Sequence, residues 1–129
     1  MKRPITITAL SVAAALGVPA SGALASGDDA GVRNGGSCTD ASSSKIKVKE
    51  DDGRLEVEFE VDQNRNGETW KVKIKDNGDV AFRGKAVTKA PSGSFSIERK
   101  IADRSGTDSI VAVGRNAGTG ERCVAKASL

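Results

Sequence analysis

Between residues 45 and 61 the chain alternates with a period of two. Ile46 and Val48 are interleaved with Lys45, Lys47 and Lys49, and Leu55, Val57, Phe59 and Val61 with Glu56, Glu58 and Glu60. A strand gathers such residues on one face, because successive side chains of an extended chain point to opposite sides. Asp52-Gly53 between the two runs suits a two-residue type I′ turn, whose central residues both need positive φ. With that loop Val48 faces Val57 and Ile46 faces Phe59, while Lys49, Lys47 and Lys45 lie opposite Glu56, Glu58 and Glu60. Turn chemistry, burial and charge select one register, since a slip by one residue turns the apolar set to solvent. Each exposed ion pair is worth only about 0–1 kcal/mol, so the ladder specifies register and solubility rather than a ligand surface.

The period returns in "ETWKVKIKDNGDVAFRG", where Trp70, Val72 and Ile74 share one face and Lys71, Lys73 and Lys75 the other. A two-residue Asn77-Gly78 turn would set Val80 and Phe82 across from lysines. The expected loop is therefore Asp76-Asn77-Gly78, with Ile74 facing Val80, Val72 facing Phe82 and Trp70 facing Gly84. Trp70 is then an inward structural peg over a glycine. Phe95, Ile97 and Ile101 form a further face interrupted by Arg99. "SIVAVG" is apolar on both faces, as suits a strand in the middle of a sheet, and a last strand carries Cys123, Ala125, Ala127 and Leu129. Phe59, Trp70, Val72 and Phe82 are core candidates. No helical period of useful length and no internal repeat occurs. Seven short strands separated by turns predict an all-β, antiparallel two-sheet sandwich over residues 44–129.

The start of the chain reads as processing signal. Lys2 and Arg3 precede an apolar run, and Ala23-Leu24-Ala25 is a small-x-small cleavage site, so residues 1–25 are expected to be a secretory signal peptide. Removing 25 of 129 residues leaves 104, enough for one domain. Two of the 20 basic residues and none of the 17 acidic ones lie in that segment, so the mature net charge is 18 against 17, or +1. That balance removes the main support for nucleic acid as a partner. Residues 26–43, rich in Gly, Ser and Asp, are expected to be a flexible lead-in. In an exported chain the two cysteines, Cys38 and Cys123, are expected to pair. The spacing suits neither a redox motif nor a metal site.

The strand count from Lys45 to Leu129, inward Trp70 in the third strand, and "DRSGTDSIVAVGRN" resemble immunoglobulin-like and fibronectin type III-like domains. The last of these is similar to the Asp-x-Gly approach to their sixth strand. Ile110 stands where an immunoglobulin domain usually carries its second cysteine, and the corner tyrosine is missing, so the resemblance implies a sandwich rather than an antibody-like domain. The bridge would tie the first strand region to the last. As a whole the chain also resembles small secreted proteins of actinobacteria, a resemblance that implies no activity.

Histidine is absent from the chain, which excludes Ser-His-Asp and Cys-His catalysis and the commonest zinc ligand. No phosphate-binding glycine motif occurs. "DQNRNGE" matches the opening of a calcium loop, with Asp62, Asn64 and Asn66 as candidate ligands, but its twelfth position is Lys73 instead of glutamate. Loop tips at 63–67, 104–107 and 116–120 are the surface candidates. The expectation is a secreted, monomeric, non-catalytic module without cofactor or membrane anchor, acting by contact with an extracellular protein or envelope component. An inhibitor or small-ligand carrier is the alternative, and a hydrolase using carboxylates or a Ser-Lys pair a distant one.

Overall fold

The computed structural model describes residues 31–129, so the expected signal peptide lies outside the described residues. Nine strands follow one another: β1 Val32–Gly35, β2 Ser37–Cys38, β3 Ser43–Asp51, β4 Arg54–Asp62, β5 Thr69–Asp76, β6 Asp79–Val87, β7 Ser94–Ala102, β8 Ser109–Asn116 and β9 Arg122–Ser128. They form two antiparallel sheets, a four-stranded one in the order β1-β3-β4-β7 and a five-stranded one in the order β2-β9-β8-β5-β6. The described residues thus form an all-β two-sheet sandwich with nine strands, where seven were expected.

The seven expected strands are β3 to β9. The additional two come from the segment expected to be a flexible lead-in, whose residues from 31 onward belong to the sandwich. β1 pairs with β3 and β2 with β9, so one short stretch closes an edge of each sheet. Alternation does not mark these strands because an edge strand is held mainly by backbone hydrogen bonds and contributes little to the core. The crossing between sheets falls at Gly36, where a side-chain Cβ would lie 2.8 Å from Ala125 Cβ and 2.5 Å from the Val124 carbonyl oxygen.

The first hairpin has the expected register: Val48 pairs with Val57, Ile46 with Phe59, and Lys49, Lys47 and Lys45 with Glu56, Glu58 and Glu60. Its turn residues Asp52 and Gly53 have φ of 54° and 75°. The second hairpin departs from expectation. Asn77 and Gly78, at φ 51° and 92°, make a two-residue turn, and Lys75 pairs with Val80. The mismatch is absorbed by a one-residue bulge at Ala81, after which Ile74 pairs with Phe82, Val72 with Gly84 and Trp70 with Ala86. The bulge returns Phe82 to the inner side and leaves Val80 42% exposed, so a single inserted residue replaces the longer loop.

The core lies between the inner faces. Ile46, Val48, Leu55, Val57, Phe59, Val61, Phe95, Ile97 and Ile101 come from the four-stranded sheet. Trp70, Val72, Ile74, Ile110 and the small residues Ala112, Ala125 and Ala127 face them. Large side chains on one sheet meet small ones on the other, which lets the layers interdigitate. The glycine that makes room for the indole is Gly114 on β8 rather than Gly84: a Cβ there would stand 3.4 Å from Trp70 Cε3 and 3.2 Å from Phe59 Cε2. Phe82 is only partly buried, at the open side of the sandwich, with the Arg99 guanidinium 4.7 Å from its ring centre. β8, apolar on both faces, is the central strand of its sheet, as expected.

Cys38 and Cys123 form a disulfide, and they are directly opposed across β2 and β9. The bridge therefore ties the start of the sandwich to its last strand within one sheet instead of crossing the core.

Candidate functional site

Strand alternation sorts charge as strictly as it sorts apolar residues, and the two outer faces come out differently. On the four-stranded sheet the cations meet acids, with Lys45 Nζ 3.2 Å from Glu60, Lys49 Nζ 3.5 Å from Glu56 and Lys100 Nζ 3.1 Å from Asp51. The outer face of the five-stranded sheet carries Lys71, Lys73 and Lys75 from β5, Arg83 and Lys85 from β6, Arg115 from β8, and Arg122 and Lys126 from β9. Neither Asp nor Glu stands among the outward positions of these four strands. The register sets Lys85 beside Lys71, Lys71 beside Arg115, and Arg115 beside Arg122, a row of four cations across four strands. In the next row Arg83 adjoins Lys73, and Val113 and Val124 continue it. Like charges directly opposite one another destabilise a sheet, so this face costs the fold free energy that its counterpart avoids. The cations border a shallow depression lined by Lys71, Lys73, Arg83, Lys85, Arg115 and Arg122.

The candidate calcium residues do not stand alone as a loop. Asp62 Oδ1 accepts the Asn64 amide at 3.1 Å, and the amides of Gln63 and Asn64 both reach the Gly93 carbonyl oxygen. Asn64 has φ 61° and Asn66 is exposed. The same segment anchors the tryptophan: Trp70 Nε1 donates to Gln63 Oε1 at 3.0 Å, and Gln63 Nε2 donates to Glu68 Oε1 at 3.1 Å. Asn116, fully buried, donates to Glu68 Oε1 at 2.9 Å and accepts the amides of Gly118 and Thr119. These donors, Asn116 first and Gln63 second, hold the Glu68 carboxyl below the usual carboxylate range. Two of the three candidate loop tips are thereby joined into one network around Trp70. The third interacts with the β5–β6 turn: Arg104 donates to the Asp76 carbonyl oxygen and to Asp79 Oδ2.

Two buried acids escaped sequence reasoning. Asp76 ends the inward row Trp70-Val72-Ile74 and is 3% exposed, and Asp108, 1% exposed, lies within hydrogen-bonding reach of it. Among the described residues neither Asp76 oxygen nor Asp108 Oδ1 has a donor. Burial first, and then the Asp108 carboxyl, push Asp76 up to about 6, against the opposing charge of Arg104, whose Nε is 4.0 Å from Asp76 Oδ2. These oxygens are sealed from solvent, so a substrate cannot touch them. Glu121, also buried, accepts the Asp40 and Ser42 amides and the Ser42 hydroxyl, and so clips residues 40–42 to the start of β9. It lies against Cys38 and Cys123, but their sulfurs are joined to each other and are not metal ligands.

The fold and its surface place the described residues in the class of two-sheet β-sandwiches with one outer face whose outward strand positions carry cations and no acid. The chain matches no protein-family model, no curated protein and no solved structure. Among the described residues no helix is long and apolar enough to cross a membrane, and the disulfide fits an oxidising compartment.

Proposed function

We propose that the protein is an exported, non-catalytic module of immunoglobulin-like or fibronectin type III-like architecture that works by contact, through the outer face of its five-stranded sheet. The three-and-four arrangement of β3–β9 is compatible with that architecture. The observation that carries the contact reading is the set of outward cations on β5, β6, β8 and β9 with no acid among those positions, beside a second sheet on which Lys45, Lys49 and Lys100 are paired with acids. Solubility requires surface charge but not one sign gathered on one face. A rigid sheet with repelling side chains is preorganised for an anionic partner, because binding relieves repulsion already present in the free protein.

The test is affinity capture from the envelope fraction of the producing cells. The oxidised domain, residues 26–129, is immobilised beside a Lys73→Glu, Arg83→Glu variant. Retention by the unaltered domain and loss by the variant is the expected result; equal retention by both refutes the assignment of the surface.

A further inference from the structure

Resting on the contact reading above, we infer that the partner of the basic face is a linear anionic polysaccharide, laid across the strands along the row Lys85-Lys71-Arg115-Arg122. The row follows the hydrogen-bonding direction, in which neighbouring strands lie about 4.8 Å apart, so its four cations span about 14 Å. Arg83 and Lys73 form a parallel pair one step along the strands, about 7 Å away, which gives a chain of repeating charges a second line of contact. The face is built of strands, and among the described residues no helix or projecting ribbon stands on it to enter a nucleic-acid groove. Its apolar residues are the half-buried Val111, Val113 and Val124 and, on the edge strand β6, the exposed Val80 and Val87, and it carries no aromatic ring: Trp70 is fully buried and Phe82 lies on the inner side. Stacking on bases and insertion into a lipid surface are therefore both without their usual side chains. What the face offers is charge at regular spacing, and the chemistry that matches it is a polymer read by its charges.

Heparin, a linear sulfated polysaccharide, is the probe, titrated against the oxidised domain at several salt concentrations. A Lys71→Ala, Arg115→Ala variant removes the middle of the row, and a Lys45→Ala, Lys100→Ala variant removes two cations from the opposite sheet. The expected result is saturable binding that weakens with salt. The slope of log affinity against log salt should fall by about 1 for each row cation removed and stay unchanged in the opposite-sheet variant. Both variants alter exposed side chains; the first should melt no lower than the unaltered domain because it relieves like-charge repulsion, and the second, which loses two surface ion pairs, only slightly lower. Heparin binding that is undetectable, or equal in the domain and its row variant, overturns the inference. So does tighter binding of duplex DNA or of phosphatidylglycerol vesicles at the same ionic strength. If heparin fails while the row variant still loses its envelope contact, the polysaccharide is wrong and the contact surface stands; if envelope contact survives every variant, both fall.

Discussion

Replacing Asp76 by asparagine should stabilise the protein at neutral pH, although most substitutions of a buried residue do the reverse. Asp76 and Asp108 are sealed together beneath Arg104, and with both ionised there is no donor between them. A proton shared by the pair converts two facing acceptors into a hydrogen bond. The Asp76 carboxyl accordingly titrates near 6 in the folded protein, against 3.8 for the free side chain. Below pH 4 both folded and unfolded chains hold this proton and the pair has no effect on stability. Between about pH 4 and 6 the unfolded chain releases it while the folded chain retains it, so stability falls as pH rises, and above about 6 the loss is complete. At about 1.4 kcal/mol per tenfold change in proton affinity, the loss amounts to about 3 kcal/mol. Asparagine has no proton to lose, and its amide donates to Asp108 at every pH. Urea denaturation of both proteins from pH 4 to 8 should give nearly equal stability at pH 4 and a variant more stable by up to about 3 kcal/mol at pH 7, or roughly 12–15 °C in Tm. The two proteins differ only at residue 76, so the difference between their curves isolates the Asp76–Asp108 pair. A variant less stable at pH 7, or a difference independent of pH, refutes the shared proton; destabilisation that appears only when calcium is present would show that the pair holds a cation instead.

Trp70→Ala should cost about 3–5 kcal/mol, because it empties the space between Phe95 and Gly114 and leaves Gln63 without its indole donor; unchanged melting in a thermal scan would mean that the ring is not a peg. Removing the bridge with Cys38→Ala and Cys123→Ala opens a link between residues 85 apart and should lower stability by about 4–5 kcal/mol, measured by urea denaturation against the oxidised protein. Gly36→Ala should destabilise the domain by about 1–3 kcal/mol and increase hydrogen exchange in β1 and β2, since its Cβ meets the Val124 carbonyl and Ala125; protection equal to the parent's would contradict the close crossing. Calorimetry with millimolar calcium should show no heat attributable to Asp62, Asn64 and Asn66, because Asp62 Oδ1 is already engaged by the loop's own backbone; a saturable heat abolished by Asp62→Ala would overturn this.

The sequence by itself determined the seven strands from β3 to β9, the register of the first hairpin, the inward set of the core and the cysteine pair. In each case the information is local or unique: alternation is read within one strand, Asp52-Gly53 joins two adjacent strands, and two cysteines allow one pairing. The error in the second hairpin was an error of weighing. Burial of Val80 and Phe82 together demanded a longer loop, whereas the backbone kept the preferred Asn77-Gly78 turn, bulged at Ala81 and left Val80 outside. β1 and β2 were illegible because their stability comes from the backbone of β3 and β9 and their side chains carry no pattern.

Tertiary structure alone decided which strands are neighbours, and with that the surface. Lys71, Lys85, Arg115 and Arg122 are ordinary outward residues when each strand is read separately, and the near balance of 20 basic against 17 acidic residues in the sequence conceals them. Only the order β9-β8-β5-β6 brings them into one row, just as only the meeting of the β5 end with the loop before β8 brings Asp76 to Asp108. Electrostatic interaction depends on distance in space, and distance in space between strands is set by sheet order, which no local period encodes.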